Sequence, residues 1–329
     1  MPDFCVRLGI AVRVPIKNIE KTMVIPTSRT KESPEIRINS ELCNGCGLCV
    51  SVCSDSSLAI ENKIVKRSNS SVFDCIGCGH CMAICPIGAI EIFGRELSPE
   101  DLHDLPKKEN TSDYEQLLAL LQHRRSIRDF KDKTVEPDII EKILIAAKTA
   151  PMGLPPSDVN VLIFNGKEET RAFAKDFSSY LKSLKFMTTK FFLALMRPVW
   201  GKETDELFKG FLKPLFRAYT TEGMDKGVNT INYDAPLVMY FYGSPYSDPA
   251  DPIIAATYAM IAAETLGLGT CMLGAVHPFI QNGRKAKRFR ENHNIKCKSK
   301  EGLFVTFGYS KSHYKKGIYR TFASIEFSD

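Results

Sequence analysis

A repeated cysteine pattern constrains this chain more than any other feature of its sequence. Eight of the 11 cysteines form two runs with the same spacing, C-x2-C-x2-C-x3-C. The runs are Cys43, Cys46, Cys49 and Cys53, and then Cys75, Cys78, Cys81 and Cys85. Each cysteine of the second run follows its counterpart by 32 positions, and the glycines between them repeat as well. The segment is therefore an internal duplication whose small residues let the backbone wrap closely around a bound group.

This spacing predicts two [4Fe–4S] clusters, because it is the spacing of bacterial cysteine runs that hold such clusters in pairs. In that arrangement the fourth cysteine of each run ligates the other cluster. The predicted ligand sets are therefore Cys43, Cys46, Cys49 and Cys85, and Cys75, Cys78, Cys81 and Cys53. A zinc site is the alternative, but zinc sites usually pair two C-x2-C knuckles. Ser54 follows Cys53 where proline is usual, whereas Pro86 follows Cys85. Since all eight thiols are present, we expect both clusters.

The rest of the chain divides around this duplication. Residues 36–93 resemble a bacterial-type two-cluster ferredoxin, with short flanking strands expected at 58–60 and 89–92. Residues 1–35 are interpreted as an N-terminal extension. Residues 94–111 are polar, contain two prolines and are interpreted as a linker. Residues 112–329 are then expected to form a second, larger domain.

Hydrophobic periodicity predicts an α+β fold for the second domain. One helix is expected behind a capping box of Ser112 and Glu115, and a second is expected to begin near Pro137 and end at Pro151. Strands are predicted at 159–164, 237–242 and 303–308, and the apolar segment 253–266 should be a buried helix. The interval 171–230 reads as helical and irregular. We therefore expect helices surrounding a central, mostly antiparallel sheet.

The first helix of this domain ends in a basic cluster, His-Arg-Arg-Ser-Ile-Arg-Asp-Phe at 123–130. Guanidinium groups bind phosphate oxygens in pairs, although the same charges could simply complement the helix dipole. The cluster resembles the N-terminal motif of the flavin-dependent nitroreductase family. Segments 150–153, 262–275 and 308–320 resemble further family stretches in the same order. The resemblance covers about residues 112–325.

This resemblance implies that the protein is an enzyme that uses FMN, with its chemistry at flavin N5 and no assignable catalytic side chain. The loop from Met152 departs from the Asn/Gln-Pro-Trp type that is common in bacterial members of the family. Cys5, Cys271 and Cys297 are expected to be ordinary buried thiols. The FMN ligands that the resemblance implies are Arg124, Arg125, Ser126, Arg128, Pro151, Met152, Gly153, Leu273, Gly274, Ala275 and Arg320.

Together the two domains predict an oxidoreductase that passes electrons from a donor through both clusters to FMN. The resemblance implies that the final acceptor is a small electrophile such as a nitroaromatic or a quinone. The alternatives are an electron-transfer module that serves a protein partner, or a reductase of activated C=C bonds or of free flavin. The chain has no P-loop, and Gly267-Leu268-Gly269 follows a helix, so it does not match the dinucleotide fingerprint. The donor is expected to be ferredoxin or NAD(P)H, and the resemblance also implies a homodimer.

Charge and hydropathy limit the remaining possibilities. The formal net charge is +6, with five basic residues between Arg284 and Arg290. These predict a solvated helix face or a docking site for an acidic electron carrier, and no nucleic-acid motif accompanies them. Segment 176–229 is interpreted as a helical insertion that buries its aromatics, with a substrate lid as the alternative. The sequence shows no membrane span and no signal-peptide layout, which predicts a cytoplasmic protein with reduced cysteines.

Overall fold

The computed structural model describes residues 25–328, except for the side chain of Trp200. Most of the predicted N-terminal extension, including Cys5, lies outside these residues. The chain forms two compact units that divide between His103 and Asp104. This division falls inside the segment interpreted as a linker.

The first unit consists of two small antiparallel strand pairs and two short helices. Strand β1 (Glu35–Ile38) pairs with β4 (Ile90–Phe93), and β2 (Leu58–Glu61) pairs with β3 (Ile64–Arg67). Helix α1 (Leu48–Ser51) and helix α2 (His80–Ile84) begin within the two cysteine runs. The strands expected at 58–60 and 89–92 are therefore confirmed. Their apolar side chains form a core that contains buried Cys49 and Cys81.

The sequence duplication is also a duplication of backbone conformation. Gly45, Gly47, Gly77 and Gly79 all have positive φ, at 68°, 79°, 72° and 75°. Side chains disfavour this region, and glycine does not. At Gly45 a β-carbon would also lie only 2.2 Å from the Lys63 carbonyl oxygen. These glycines let each run turn tightly between its cysteines.

The second unit is built on a four-stranded antiparallel sheet. Its order is β5 (Val159–Asn165), β6 (Leu237–Gly243), β8 (Gly302–Gly308) and β7 (Gly269–Leu273). Helices α4 (Pro137–Lys148) and α8 (Asp251–Thr265) cover one face, and their apolar side chains pack with Met239 and Val305. Helices α5 (Lys167–Ser183), α7 (Lys213–Tyr219), α9 (Val276–Phe279) and α10 (Arg284–Asn292) contribute to the core on the other face. Because both faces are covered, β6 and β8 are buried along their whole length.

This architecture confirms the predicted α+β class and the three predicted strands, but one local prediction is wrong. Helix α3 (Tyr114–His123) is capped by Asp113, whose Oδ1 accepts from the Gln116 N–H at 2.8 Å. The expected capping box of Ser112 and Glu115 does not form, because the Asp113 carboxylate occupies the same role one residue later. Strand β7 is not among the predicted strands, because its five residues between glycines are too few to show a strand period.

A long helix, α6 (Lys190–Leu207), lies in the segment between α5 and α7. It bends at Gly201, where φ is 80°. Within residues 25–328, no helix combines the length and the apolar character needed to cross a membrane.

Candidate iron–sulfur and flavin sites

A cavity in the first unit brings four cysteines of the duplication together. Its lining includes Cys53, Cys75, Cys78 and Cys81, which is the second predicted ligand set. Three of them come from the second run, and Cys53 comes from the end of the first. The fold therefore carries Cys53 across to the opposite run, as a shared two-cluster arrangement requires.

The electrostatic environment of the buried thiols gives the same grouping. Burial raises the pKa of Cys81 to about 12, and the negative charges of Cys75, Cys78 and Cys53 act in the same direction. Burial also raises the pKa of Cys49, with further contributions from Cys85 and Cys46. Each buried cysteine thus has as neighbours the fourth cysteine of the other run and members of its own run. Cys43 packs against the same core.

The donors around these sulfurs fit a cluster of several irons. The Ala89 N–H donates to Cys85 Sγ at 3.2 Å, and backbone N–H groups of Val50, Gly77 and Met82 donate to Cys49, Cys75 and Cys81. Such bonds stabilise thiolate sulfur. Among the described side chains, no three His, Cys, Asp or Glu are grouped to hold a single metal ion. A [4Fe–4S] cluster spreads its thiolates more widely, because each thiolate binds a different iron.

Sequence reasoning missed Asp55, which lines the same cavity one residue after Ser54. Its carboxylate accepts from the hydroxyls of Ser57 and Ser71 and from the N–H groups of Val72 and Phe73. Burial alone would raise the pKa of Asp55, but these hydrogen bonds outweigh it and the pKa is lowered. Asp55 therefore fixes the loop that leads into Cys75, at the point where the usual proline is absent.

In the second unit, the basic cluster after α3 runs along the edge strand β7. The Ile127 N–H donates to the Thr270 carbonyl at 2.9 Å, and Ser126 forms a parallel bridge with Thr270. In an extended segment, alternate side chains point to the same side. Arg124, Ser126 and Arg128 should therefore share one side, and Arg125 should point to the other.

The side chains follow this alternation, and Arg124, Ser126 and Arg128 meet around the Cys271 thiol. Burial raises the pKa of Cys271, while Arg128, Ser126 and Arg124 act in the opposite direction. The Arg128 guanidinium also lies 5.9 Å from the ring centroid of Tyr233. Sequence reasoning missed Cys271 and Tyr233, although Cys271 lies inside a segment that matched the family. This group of two arginines and a hydroxyl is hereafter called the arginine cluster.

The structure places Arg125 away from the arginine cluster. Its Nη1 donates to the Arg124 carbonyl at 2.9 Å, and its Nη2 would lie 2.7 Å from a β-carbon at Gly317. Arg125 therefore packs on the C-terminal stretch. Arg320, in the same stretch, lines with Arg124 and Arg125 a cavity of about 710 Å³. A contact of Arg125 or Arg320 with FMN remains a prediction.

The other predicted flavin contacts lie at two places in the sheet and helix framework. Leu273 is buried at the end of β7 and leads into Gly274 and Ala275, two residues beyond Cys271. The loop of Pro151, Met152 and Gly153 is held instead by α8. The Gly153 N–H donates to Oδ1 of Asp251 at 3.0 Å, in the first turn of that helix. Burial raises the pKa of Asp251, and this bond opposes the shift.

The two predicted groups of flavin ligands are thus associated with opposite ends of α8. The Gly153 loop bonds to its first turn. His123, which immediately precedes the arginine cluster, bonds through Nδ1 to Glu264 in the last turn at 2.6 Å. With 15 residues, α8 is about 22 Å long. One chain therefore holds the loop and the basic segment well apart.

Most basic side chains of helix α10 bond to groups of the same chain. Arg290 donates to the carbonyls of Ile280 and Gln281, Lys285 donates to the Ser183 carbonyl, and Lys287 pairs with Glu291 at 3.7 Å. These contacts favour the interpretation as a solvated helix face over a docking site for an acidic carrier.

Comparison with known proteins identifies both units. A sequence model of the nitroreductase family matches residues 121–309, more than half of the chain, and a model of the 4Fe-4S dicluster domain matches residues 35–86. These matches confirm the predicted fusion, its order, its two [4Fe–4S] clusters and its oxidoreductase class. No protein of curated function matches the chain significantly.

Several solved structures resemble the chain. A Bacteroides fragilis nitroreductase with bound FMN is 14% identical, with a TM-score of 0.47, over 65% of this chain and 99% of its own. A Desulfitobacterium hafniense nitroreductase with bound FMN is 20% identical, with a TM-score of 0.45, over 64% and 98%. A BluB-like flavoprotein from Clostridium difficile is 16% identical, with a TM-score of 0.43, over 62% and 94%. By its family match, the chain belongs to the nitroreductase family and carries a 4Fe-4S dicluster domain ahead of it.

Proposed function

We propose that this protein is an iron–sulfur flavoprotein in which two [4Fe–4S] clusters supply electrons to FMN for reduction of a small electrophile. A nitroaromatic or a quinone is the proposed class of acceptor. The proposal rests on one observation: a single chain joins two runs of four cysteines to a nitroreductase-family domain. The clusters supply single-electron transfer, and FMN, when bound, links single-electron input to two-electron output.

The arginine cluster is the proposed site for the phosphate end of FMN. Arg124 and Arg128 supply positive charge, and Ser126 supplies a hydroxyl beside them. Guanidinium forks and hydroxyls suit phosphate and polyol oxygens. Arg128 is solvent-exposed, so its guanidinium is accessible to a ligand. The backbone hydrogen bond from the Ile127 N–H to the Thr270 carbonyl ties this segment to the edge of β7.

Alanine substitutions in the arginine cluster should weaken FMN binding without loss of iron. Arg124→Ala and Arg128→Ala should each cost about 1.5–3 kcal/mol, the range for a hydrogen bond to a charged group. Flavin fluorescence titration of the deflavinated protein measures the change. Arg125→Ala should cost less, because Arg125 faces the C-terminal stretch. Arg288→Ala, in α10, is the control for net charge. If all four variants bound FMN equally well, the arginine cluster would only complement the helix end.

We also propose a homodimer in which both subunits contribute to each flavin site. Within one chain the Gly153 loop and the basic segment bond to opposite ends of α8. Two copies related by a two-fold axis can bring one group of each kind together. The C-terminal stretch supports this, because Ile318, Tyr319 and Phe327 are between 79% and 101% exposed. Such an apolar arm is typical of a segment that packs on another subunit.

Light scattering of the FMN-loaded protein should therefore give twice the chain mass of 36.8 kDa. Truncation after Ser312 should shift the protein towards the monomer and lower its flavin content together. A monomeric full-length protein that retained FMN at nanomolar concentration would contradict the two-subunit site.

Turnover of a nitroaromatic by the purified protein tests the enzymatic proposal itself. We expect reduction of a nitroaromatic or a quinone under anaerobic conditions with a chemical reductant. If the flavin were reduced but no small molecule were turned over, the electron-transfer module would be the better assignment.

A further inference from the structure

Helix α6 presents an apolar stripe to solvent. Phe191, Leu195 and Val199 follow one another at intervals of four and are 80%, 62% and 77% exposed. Residues four apart lie on the same helix face. The end of α6 adds Leu207, which is 54% exposed, and the nearby turns add Phe186 at 53% and Phe211 at 55%. The expectation that this segment buries its aromatics is therefore wrong for Phe186, Phe191 and Phe211.

The stripe belongs to an anchored element. Thr189 caps the helix, with its Oγ1 accepting from the Phe192 N–H. Leu193, on the other side of α6, is 5% exposed, and Asp205 is 3% exposed. The Asp205 carboxylate accepts from Lys209 Nζ at 2.6 Å and so ties α6 to the following turn. One face of α6 is thus fixed to the protein, which leaves the opposite face outward.

The segment that carries the stripe has an excess of positive charge. Residues 182–225 contain eight Lys or Arg and five Asp or Glu, a formal balance of +3, and Asp225 and Glu222 pair with Lys182 and Arg217. Two further acids pair within the segment, Asp205 with Lys209 and Glu206 with Lys202. Lys185, Lys190 and Lys213 are exposed and join no ion pair within residues 25–328. Apolar side chains flanked by lysines characterise helices that lie in the interface of a membrane.

We propose that α6 and its flanking turns dock on an anionic lipid surface. The stripe would enter the boundary between headgroups and acyl chains, and the lysines would lie at the lipid phosphates. The charge favours lipid over a second copy of the chain at this face. An interface between two copies is self-complementary, so it would set +3 against +3. This proposal does not depend on the electron acceptor of the enzyme.

Flotation of the full-length holoprotein with vesicles tests the proposal. The vesicles contain phosphatidylcholine alone or phosphatidylcholine with phosphatidylglycerol, at low and high salt. We expect binding to the anionic vesicles only, with weaker binding at high salt. The triple variant Phe191→Ser, Leu195→Ser, Val199→Ser should bind at least about tenfold more weakly, because it removes the apolar surface that enters the lipid. The triple variant Lys185→Glu, Lys190→Glu, Lys213→Glu should also lose binding.

Matched controls distinguish docking through α6 from nonspecific hydrophobic binding to vesicles. Val72, Leu105 and Ile145 are 65%, 85% and 55% exposed outside this segment, so their replacement by serine should leave vesicle binding unchanged. Cluster and flavin absorbance verify that each variant is folded. Equal binding of the stripe variant and the wild type would overturn the proposal, as would equal binding to neutral vesicles. If the wild type did not bind lipid and the stripe variant changed the mass by light scattering, the stripe would be an interface between copies.

Discussion

Replacement of Cys81 by alanine should abolish substrate reduction driven by reduced ferredoxin but spare reduction driven by dithionite. Cys81 is buried in the first unit and lies among Cys75, Cys78 and Cys53, so its loss removes one of the four ligands predicted for that cluster. If electrons enter through the clusters, the ferredoxin-dependent rate should fall about 100-fold or more. Changes outside the ligand shell of a metal site already cost up to about that factor. Dithionite reduces flavin directly and bypasses the clusters.

Cys297→Ala is the matched control for this experiment. Cys297 is a half-buried cysteine of the second unit, with its Sγ 3.4 Å from the Gly243 carbonyl oxygen, so its replacement should leave both rates unchanged. NADPH provides the opposing test. If NADPH drove the wild type and Cys81→Ala equally fast, and faster than ferredoxin drives the wild type, the clusters would not be the route of electron input. They would then store electrons or serve an outgoing partner.

The iron–sulfur part could be predicted from sequence because its determinants are local. The cysteine spacing and the glycines with positive φ lie within each run, so the pattern can be recognised from the sequence without knowledge of the fold. Sequence reasoning missed Asp55 because its contacts are distant in the sequence. Its carboxylate acts on Ser71, Val72 and Phe73, 16 to 18 positions later, and an aspartate in a polar segment carries no signal of such bonds.

The flavin site was harder to predict from the sequence because its contacts join residues that are distant in the chain. Ser126 and Thr270 are 144 positions apart in the sequence but form a bridge at the edge of the sheet, and this pairing brings Arg128 to Cys271. The sequence motif therefore indicated the basic residues, but it did not indicate which of their side chains point to the same side of the extended segment. Likewise, the interval 171–230 was predicted to be helical, while the outward position of Phe191 and Val199 depends on what the fold leaves uncovered.

Cysteine variants at the ends of the two runs should reveal how the clusters are shared. Because Cys49 neighbours Cys85 and Cys81 neighbours Cys53, Cys49→Ala and Cys85→Ala should disrupt the same cluster. Cys81→Ala and Cys53→Ala should disrupt the other. Electron paramagnetic resonance of the reduced proteins should therefore give two pairs of matching spectra, each with one intact [4Fe–4S] signal. The wild type should hold about eight irons, the number for two such clusters.

The pairing of the spectra distinguishes crossed from local ligation. Under local ligation, Cys53→Ala would match Cys49→Ala, and Cys85→Ala would match Cys81→Ala, because each run would hold its own cluster. Ser54→Pro restores the usual residue after the first run and should leave both signals intact, since Asp55 already fixes the adjoining loop. A wild-type content near four irons would mean that the departure at Ser54 has cost one cluster, and Ser54→Pro should then raise it. Crossed spectra with about eight irons in the wild type would place both clusters in one shared core, since each run completes the ligand set of the other.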